Sequence, residues 1–324
     1  MHPGANMRRR DFIQLGFAAA FLPLPARAQS NVPIIGFLHG TDAQSSANLV
    51  AALKEGLAAA GYDVGRNVAI EYRWAEGNAD RLPMLAAELV SKRVAMIVGP
   101  TVAALAAKSV TSSIPIVFVT SDNPVKIGLV ASVNRPGANV TGVNFLGNEV
   151  GTKRLDLLRE MVPRLLLNPG SPPGAAAVEE MQSAADKLGY RVEIRHLQSE
   201  RDVQTAFAGL AERKVDASIV ITDQLMRSFR DNLAQQASRY AIPTIYPLRD
   251  FVLAGGLVSY GASVSDAYRQ VANYAARILK GEKAAELPVV QSAKFELSVN
   301  LKAAKAIGLT IPETLLIRAD EVIA

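Results

Sequence analysis

The chain has no cysteine. That excludes a disulfide framework, a thiolate nucleophile, a cysteine metal site and a lipidated cysteine at a processed N-terminus. Histidine is scarce: His2, His39 and His196 are the full set, so a histidine metal centre would have little to use. The patterns that carry chemistry are missing as well. There is no G-x-S-x-G elbow, no H-E-x-x-H, no phosphate-loop Lys-Ser/Thr and no G-x-G-x-x-G between a strand and a helix. Long apolar runs are also lacking. Leu15–Leu24 falls far short of the roughly 20 residues a membrane span requires. Basic residues are scattered rather than striped, which argues against a nucleic-acid partner.

What is present is globular: 49% hydrophobic, 20% charged, in 324 residues, room for two ordinary domains. The first 28 residues read as an export signal rather than as fold. Arg8-Arg9-Arg10 precedes Asp11-Phe12-Ile13, an apolar run follows, and Ala26-Arg27-Ala28 offers small residues for a cut near Ala28. The pattern is similar to a twin-arginine signal. This leader holds +3 of the formal +5 charge, leaving +2 for the remainder.

Beyond it, strand and helix patterns alternate. Pro33–Leu38, Val94–Val98 and Ile114–Val119 are short apolar runs, as strands buried on both faces of a parallel sheet would be. Asn67–Tyr72 alternates apolar and polar, as an outer strand would. Between them, Asn48–Ala60 carries Leu49, Leu53 and Leu57 at helical spacing, and Ala79–Lys92 and the stretch from Thr101 through Val110 read as further helices. Val140–Phe145 is a fifth strand.

The second half repeats the scheme. Helices are predicted at Glu149–Met161, Gly174–Leu188, Arg201–Arg213, Gln224–Tyr240 and Ser263–Lys280. Strands are predicted at Arg164–Leu167, Arg191–His196, Ala217–Ile221, Pro243–Tyr246 and Phe295–Val299, with a last extended piece at Leu315–Ile317. Strands separated by such helices mean βαβ units. The expected fold is therefore α/β, with two doubly wound, flavodoxin-like lobes. In open sheets of this kind ligands bind at the carboxyl ends of the strands, so a solute would sit between the lobes and close them.

Several stretches carry a more specific resemblance. They are EYRWAEGNADRLPMLAAELV (Glu71–Val90), IPIVFV followed by NPVKIGLVASVNRPGANVTGV, KRLDLLREMVP (Lys153–Pro163), YPLRDFVLAGGLVSYG (Tyr246–Gly261) and KFELSVNLKAAKAIGLTIP (Lys294–Pro312). They resemble ABC-transporter substrate-binding proteins of the tryptophan/tyrosine type, over nearly everything from Pro33 onward. The resemblance implies a type I periplasmic-binding-protein fold with a three-strand hinge. One lobe would span 31–143 plus about 262–285, the other 144–261 plus about 286–324. It also implies a monomer in the periplasm, a small organic solute such as an aromatic or branched amino acid or related carboxylate, and an inner-membrane permease and ATPase as partners. No cofactor, no metal and no catalysis are implied. A sensory module of the same fold, presenting its ligand to a membrane receptor, is the alternative. An exported enzyme is disfavoured by the lack of a nucleophile and base.

The chain departs from the family pattern twice. Asn123 stands where members carry Asp before Pro-Val, with Asp122 one step earlier. The segment after Pro163 is shorter than usual, so the first strand of the second lobe is expected to be cramped or displaced.

The strand-end rule supplies the candidate ligand residues, each with a structural alternative. His39, Thr41 and Asp42 follow the first strand, where His39 is either a partner for an acidic group or a hydrogen-bonded loop histidine. Thr101 begins a helix, where it could cap or help hold a carboxylate. Ser121, Asp122 and Asn123 follow the fourth strand and could bind or make the turn. In the second lobe, Asn168, Ser171 and Asp223 end strands, as ligand groups or as turn and cap residues. Tyr246 and Tyr260 could stack on a flat ligand or pack in the core. Arg249 could take a carboxylate bidentately or be solvated. Trp74, ending the second strand, ranks below these.

Overall fold

The short apolar runs fold as buried strands. In the computed structural model, which describes residues 32–145, 150–162, 166–167, 169–170, 182–183, 185–186, 191–192, 197–221 and 224–324, fourteen strands are seen. In chain order they are β1 (Ile34–His39), β2 (Ala69–Trp74), β3 (Met96–Pro100), β4 (Ile116–Thr120), β5 (Val140–Phe145), β6 (Leu166–Leu167), β7 (Pro169–Gly170), β8 (Arg191–Val192), β9 (Ser218–Val220), β10 (Thr244–Tyr246), β11 (Val258–Ala262), β12 (Val290–Ser292), β13 (Phe295–Asn300) and β14 (Glu321–Ile323).

The first sheet runs β12-β5-β4-β3-β1-β2 and is parallel throughout. Every residue of β4 is buried, whereas every residue of the edge strand β2 is only partly so. That contrast is the one the apolar and alternating patterns encode. Helices cover both faces. Leu49, Leu53 and Leu57 of α1 (Ala47–Ala59) and Val271, Ala272 and Ala275 of the helix Val264–Leu279 pack on one side. Leu85 and Leu89 of α2 (Leu82–Ser91) and Ala103 and Ala107 of α3 (Thr101–Val110) pack on the other.

The second sheet runs β14-β13-β11-β10-β9-β7, with β11 and β13 antiparallel. Beside it, β6 and β8 form their own two-stranded ladder. The first strand of the second lobe therefore appears as two pieces of two residues, β6 pairing with β8 and β7 with β9. Residues 163–165, where the short connector was noted, lie outside the described residues, as does most of the predicted helix Gly174–Leu188.

The chain passes between the sheets three times. It leaves β5 for the helix Gly151–Met161, whose Leu155, Leu158 and Met161 join the second core. It returns from Ala262 to the helix Val264–Leu279, which opens on Ser263 Oγ accepting from the Asp266 amide at 3.3 Å. It crosses a third time between β12 and β13. Val290–Ser292 pairs with β5, so this last return falls at Phe295 rather than near residue 286.

Three local expectations differ from the structure. Leu315–Ile317 is not extended: Glu313–Leu316 is a helical turn begun by Pro312, with Leu315 buried in the second core. Proline's fixed φ favours a helix start, and the closing strand is β14. The predicted helix Gln224–Tyr240 is two helices, Gln224–Ser228 and Arg230–Arg239, broken at Phe229. A short helix, Arg249–Leu253, lies where none was predicted, stopped at Gly255 with φ of 101°.

Candidate functional site

β1 delivers His39 to the carboxyl edge of the first sheet, 6% exposed. Its Nδ1 accepts the Thr41 amide at 3.2 Å and lies 2.9 Å from Thr41 Oγ1, which is 2.8 Å from Ser46 Oγ. A nitrogen that accepts an amide carries no proton, so the neutral ring holds its proton on Nε2. The ring stacks on Phe37 with centroids 5.9 Å apart. Desolvation lowers its pKa from 6.5 to about 3; the Arg227 charge adds to the shift, while Asp42 and Asp250 oppose it. His39 is thus a buried, neutral acceptor that organises the β1 loop. Asp42 is exposed, and its carboxylate accepts the Ser45 amide and hydroxyl, both at 2.8 Å. Those bonds hold its pKa below the usual value.

The ends of β3 and β4 bring three residues together. Thr101 Oγ1 is 2.8 Å from Thr120 Oγ1 and donates to Asp122 Oδ2 at 3.5 Å, while the Asp122 amide donates to Thr120 Oγ1 at 3.0 Å. Thr101 is the first residue of α3. The cap position is Pro100, which offers no side-chain acceptor to the first-turn amides. Asn123 is committed elsewhere: its Oδ1 accepts the amides of Val125 and Lys126, each at 3.1 Å. Ser121 is exposed beside them.

In the second lobe, Asn168, Ser171 and Asp223 lie outside the described residues. Tyr246 is fully buried, stacked on Phe251 at 5.2 Å, with its hydroxyl donating to the Leu233 carbonyl at 3.5 Å. The strand tip that could have offered it to a ligand is covered by the helix Arg249–Leu253, so Tyr246 is a core residue. Arg249 is partly exposed and is committed within its own lobe, holding Glu321 through Nε and Nη2. Tyr260 is partly buried, stacked on Phe295 at 6.0 Å, and its carbonyl accepts Arg154 Nε at 2.7 Å. Trp74 belongs to a ring cluster with Phe37, His39 and Tyr72, at centroid distances of 5.3, 6.1 and 5.8 Å.

The residues that join the two lobes were not among the predicted ones. Asn48 Nδ2, at the start of α1, donates to Asp250 Oδ1 at 3.2 Å. Asp250 Oδ2 in turn holds Arg227 Nη2 at 2.7 Å. Arg230 Nη2 reaches Ser45 Oγ at 3.4 Å. Asn48, Arg227, Arg230 and Asp250 sit on helices just past the strand-end loops, where the strand-end rule does not look, and Ser45 in the turn that leads into α1. The sequence signal was modest: two arginines three apart after β9, and an aspartate in the turn after β10.

Two doubly wound lobes, three crossings and cross-lobe bonds just past the strand ends define a two-lobed solute-binding fold of the type I periplasmic kind. The chain belongs to the ABC transporter substrate binding protein family, which matches residues 32–323. A tyrosine-binding protein of Clostridioides difficile is 26% identical over 256 residues, covering 77% of this chain and 73% of that protein. The crystal structure of a conserved domain protein from Vibrio cholerae superposes with a TM-score of 0.78 at 28% identity, covering 90% of this chain and 99% of that one. The ABC domain from Streptococcus pneumoniae, in complex with L-Trp, gives a TM-score of 0.78 at 26% identity over the same shares. Among the described residues no helix is long and apolar enough to cross a membrane.

Proposed function

We propose that this protein is the periplasmic, monomeric binding component of an ABC importer. It captures an amino acid, aromatic or branched, or a related carboxylate, and delivers it to a permease and ATPase in the inner membrane. It binds without turning the solute over. Residues 1–28 serve as the export signal. The observation that carries this reading is the pair of cross-lobe bonds just past the strand ends, Asn48 to Asp250 and Arg230 to Ser45. A solute held there touches both lobes, so its affinity for the closed form drives closure. The named ligands of the C. difficile and S. pneumoniae relatives support an aromatic amino acid.

Within the cleft, Asp122 takes the solute's ammonium group, with Thr101 and Thr120 fixing the carboxylate that receives it. Ser121, Thr41 and Asp42 line the same rim. The test is calorimetry and thermal shift of the protein from residue 29 onward, against L-tryptophan, L-tyrosine, branched amino acids and short carboxylates. Binding in the micromolar range or tighter is expected for an aromatic amino acid. No heat and no shift with any of them would end this reading.

A further inference from the structure

Asn48 is the second residue of α1, and its side-chain amide is fixed in orientation. Oδ1 accepts the Leu49 amide at 3.0 Å, so Nδ2 is the end that reaches the other lobe, donating to Asp250 Oδ1 at 3.2 Å. Asp250 is fixed as well. Its second oxygen accepts Arg227 Nη2 at 2.7 Å, and its neighbour Arg249 ties the same helix to Glu321. One carboxylate thus faces two ways, Oδ2 toward its own lobe and Oδ1 toward the opposite one.

A second bond crosses in the same patch. Ser45 Oγ donates its proton to Asp42 Oδ2 at 2.8 Å, which leaves a lone pair to accept Arg230 Nη2 at 3.4 Å. Ser45 stands three residues before Asn48, and Arg230 three residues after Arg227, whose carbonyl it also reaches at 3.4 Å. Each crossing bond joins a neutral group of the first lobe to an ion of the second. Bonds of that kind are stronger than neutral ones. When the lobes part, Asp250 keeps Arg227 and Ser45 keeps Asp42, so no ion is left without a partner. Parting costs the crossing bonds alone, which keeps the contact reversible.

We propose that Asn48–Asp250 and Ser45–Arg230 form a latch that holds the two lobes together and adds to solute affinity without touching the solute. Asn48 and Asp250 are positioning residues. They raise the population of the closed form, and any solute that binds that form gains by the same factor. The latch serves whichever solute the cleft takes, so it goes beyond the amino-acid reading and does not depend on it. It slows release and leaves capture by the open form unaltered.

The experiment exploits the cysteine-free chain. Nitroxide labels at K54C and K305C, exposed positions on α1 and on the second-lobe helix Leu301–Ala306, report the interlobe distance by pulsed electron spin resonance. N48A removes the donor. N48D sets a carboxylate against Asp250 in the first turn of α1, where negative charge favours the helix itself, so the latch is opposed and α1 is not. N48D/D250N exchanges the two side chains: the amide put at 250 donates across the boundary and still accepts from Arg227. With no solute added, N48A and N48D should lengthen the distances, N48D more, and the exchange should return them toward wild type. In titrations with L-tryptophan, N48A should weaken binding by about 5-fold and N48D by about 20-fold, for bonds to an ion at a partly exposed site. The loss should lie in the dissociation rate, and the ratio of L-tryptophan to L-tyrosine affinity should not move. Unchanged distances in both variants would overturn the latch and leave the amino-acid reading standing; so would longer distances with wild-type affinity, or a changed ratio, which would make Asn48 a solute contact. Longer distances in the variants, with neither amino acid bound even by wild type, would end the amino-acid reading and keep the latch.

Discussion

Arg249 donates to both carboxylate oxygens of Glu321, through Nε at 2.6 Å and Nη2 at 2.5 Å. The sequence suggests a ligand-binding arginine here, beside a strand end. The protein instead uses it to tie the helix Arg249–Leu253 to β14, 72 residues away. The Glu321 bonds raise the arginine's pKa, so its guanidinium stays charged. Both side chains are about one-third exposed, so solvent screens the attraction. Arg249→Gln should therefore cost only about 1 kcal/mol, within the range for a well-formed but screened pair. Chemical denaturation measures that loss. Calorimetry should find solute affinity within about 2-fold of wild type, since Arg249 serves to tie two elements of one lobe together through Glu321.

His39 makes stability depend on pH. Its folded pKa is depressed to about 3 from 6.5, first by desolvation and then by Arg227, against Asp42 and Asp250. Because the unfolded chain takes up the proton first, the stabilising effect is whole above pH 6.5 and is lost as pH falls toward 3. Between pH 6.5 and 5 the loss should approach about 2 kcal/mol. Glu71 and Asp42, whose pKa values are also lowered from 4.5 and 3.8, act only at lower pH. Glu296, whose pKa burial raises, acts in the opposite sense around pH 5, so the difference in slope between wild type and a His39 variant isolates His39. His39→Gln should flatten denaturation midpoints over that interval; an equal slope in the variant would assign the effect elsewhere.

A glycine in the middle of a helix ordinarily gains from replacement by alanine, by about 1 kcal/mol. Gly56 of α1 should do the reverse. A Cβ there would lie 2.6 Å from the Ala272 Cβ and 2.8 Å from the Arg269 carbonyl. The two helices meet at this glycine on the α1 face that buries Leu53 and Leu57. Overpacking costs typically 1–3 kcal/mol, and the opposing atom at Arg269 is backbone, which cannot step aside. Gly56→Ala is therefore expected to lower stability by about 1–2 kcal/mol and Tm by several degrees, read by calorimetric melting.

The chain discloses its repetitive parts and hides its singular ones. β1 and β4 are legible because a strand buried on both faces must be a continuous apolar run, and α1 is legible because Leu49, Leu53 and Leu57 repeat at its own period. The helix Arg249–Leu253 is too short to show a period, and β12 and β14, three residues each, are too short to show alternation. That unseen helix decided the fate of Tyr246. Tyr246 and Tyr260 look alike in sequence, each at a strand tip, but Phe251 covers one of them. The cross-lobe contacts are the least legible. Asn48 and Asp250 are 202 residues apart, and no local pattern in either segment names the other. Chemistry by residue type could propose Asp122 or Asn123 for an ammonium group, but only the hydrogen bonds separate them.

That separation yields a test of the first-lobe subsite. The Asn123 oxygen is occupied by two backbone amides of its own turn, whereas the Asp122 carboxylate lies exposed beside Thr101. Asn123→Ala should remove the turn's side-chain acceptor and cost about 1 kcal/mol of stability, as loss of a capping residue does, with affinity for L-tryptophan within about 2-fold. Asp122→Asn should do the opposite. Its one weak contact to Thr101 contributes little to folding, so melting should hardly move. Its charge is what an ammonium group needs, so affinity for L-tryptophan should fall by about 10- to 100-fold. Indole-3-propionate, which has the ring and carboxylate but no amine, supplies the control: its affinity should be equal for wild type and Asp122→Asn. A fall of the same size for both compounds would mean that Asp122 shapes the loop rather than meeting the amine.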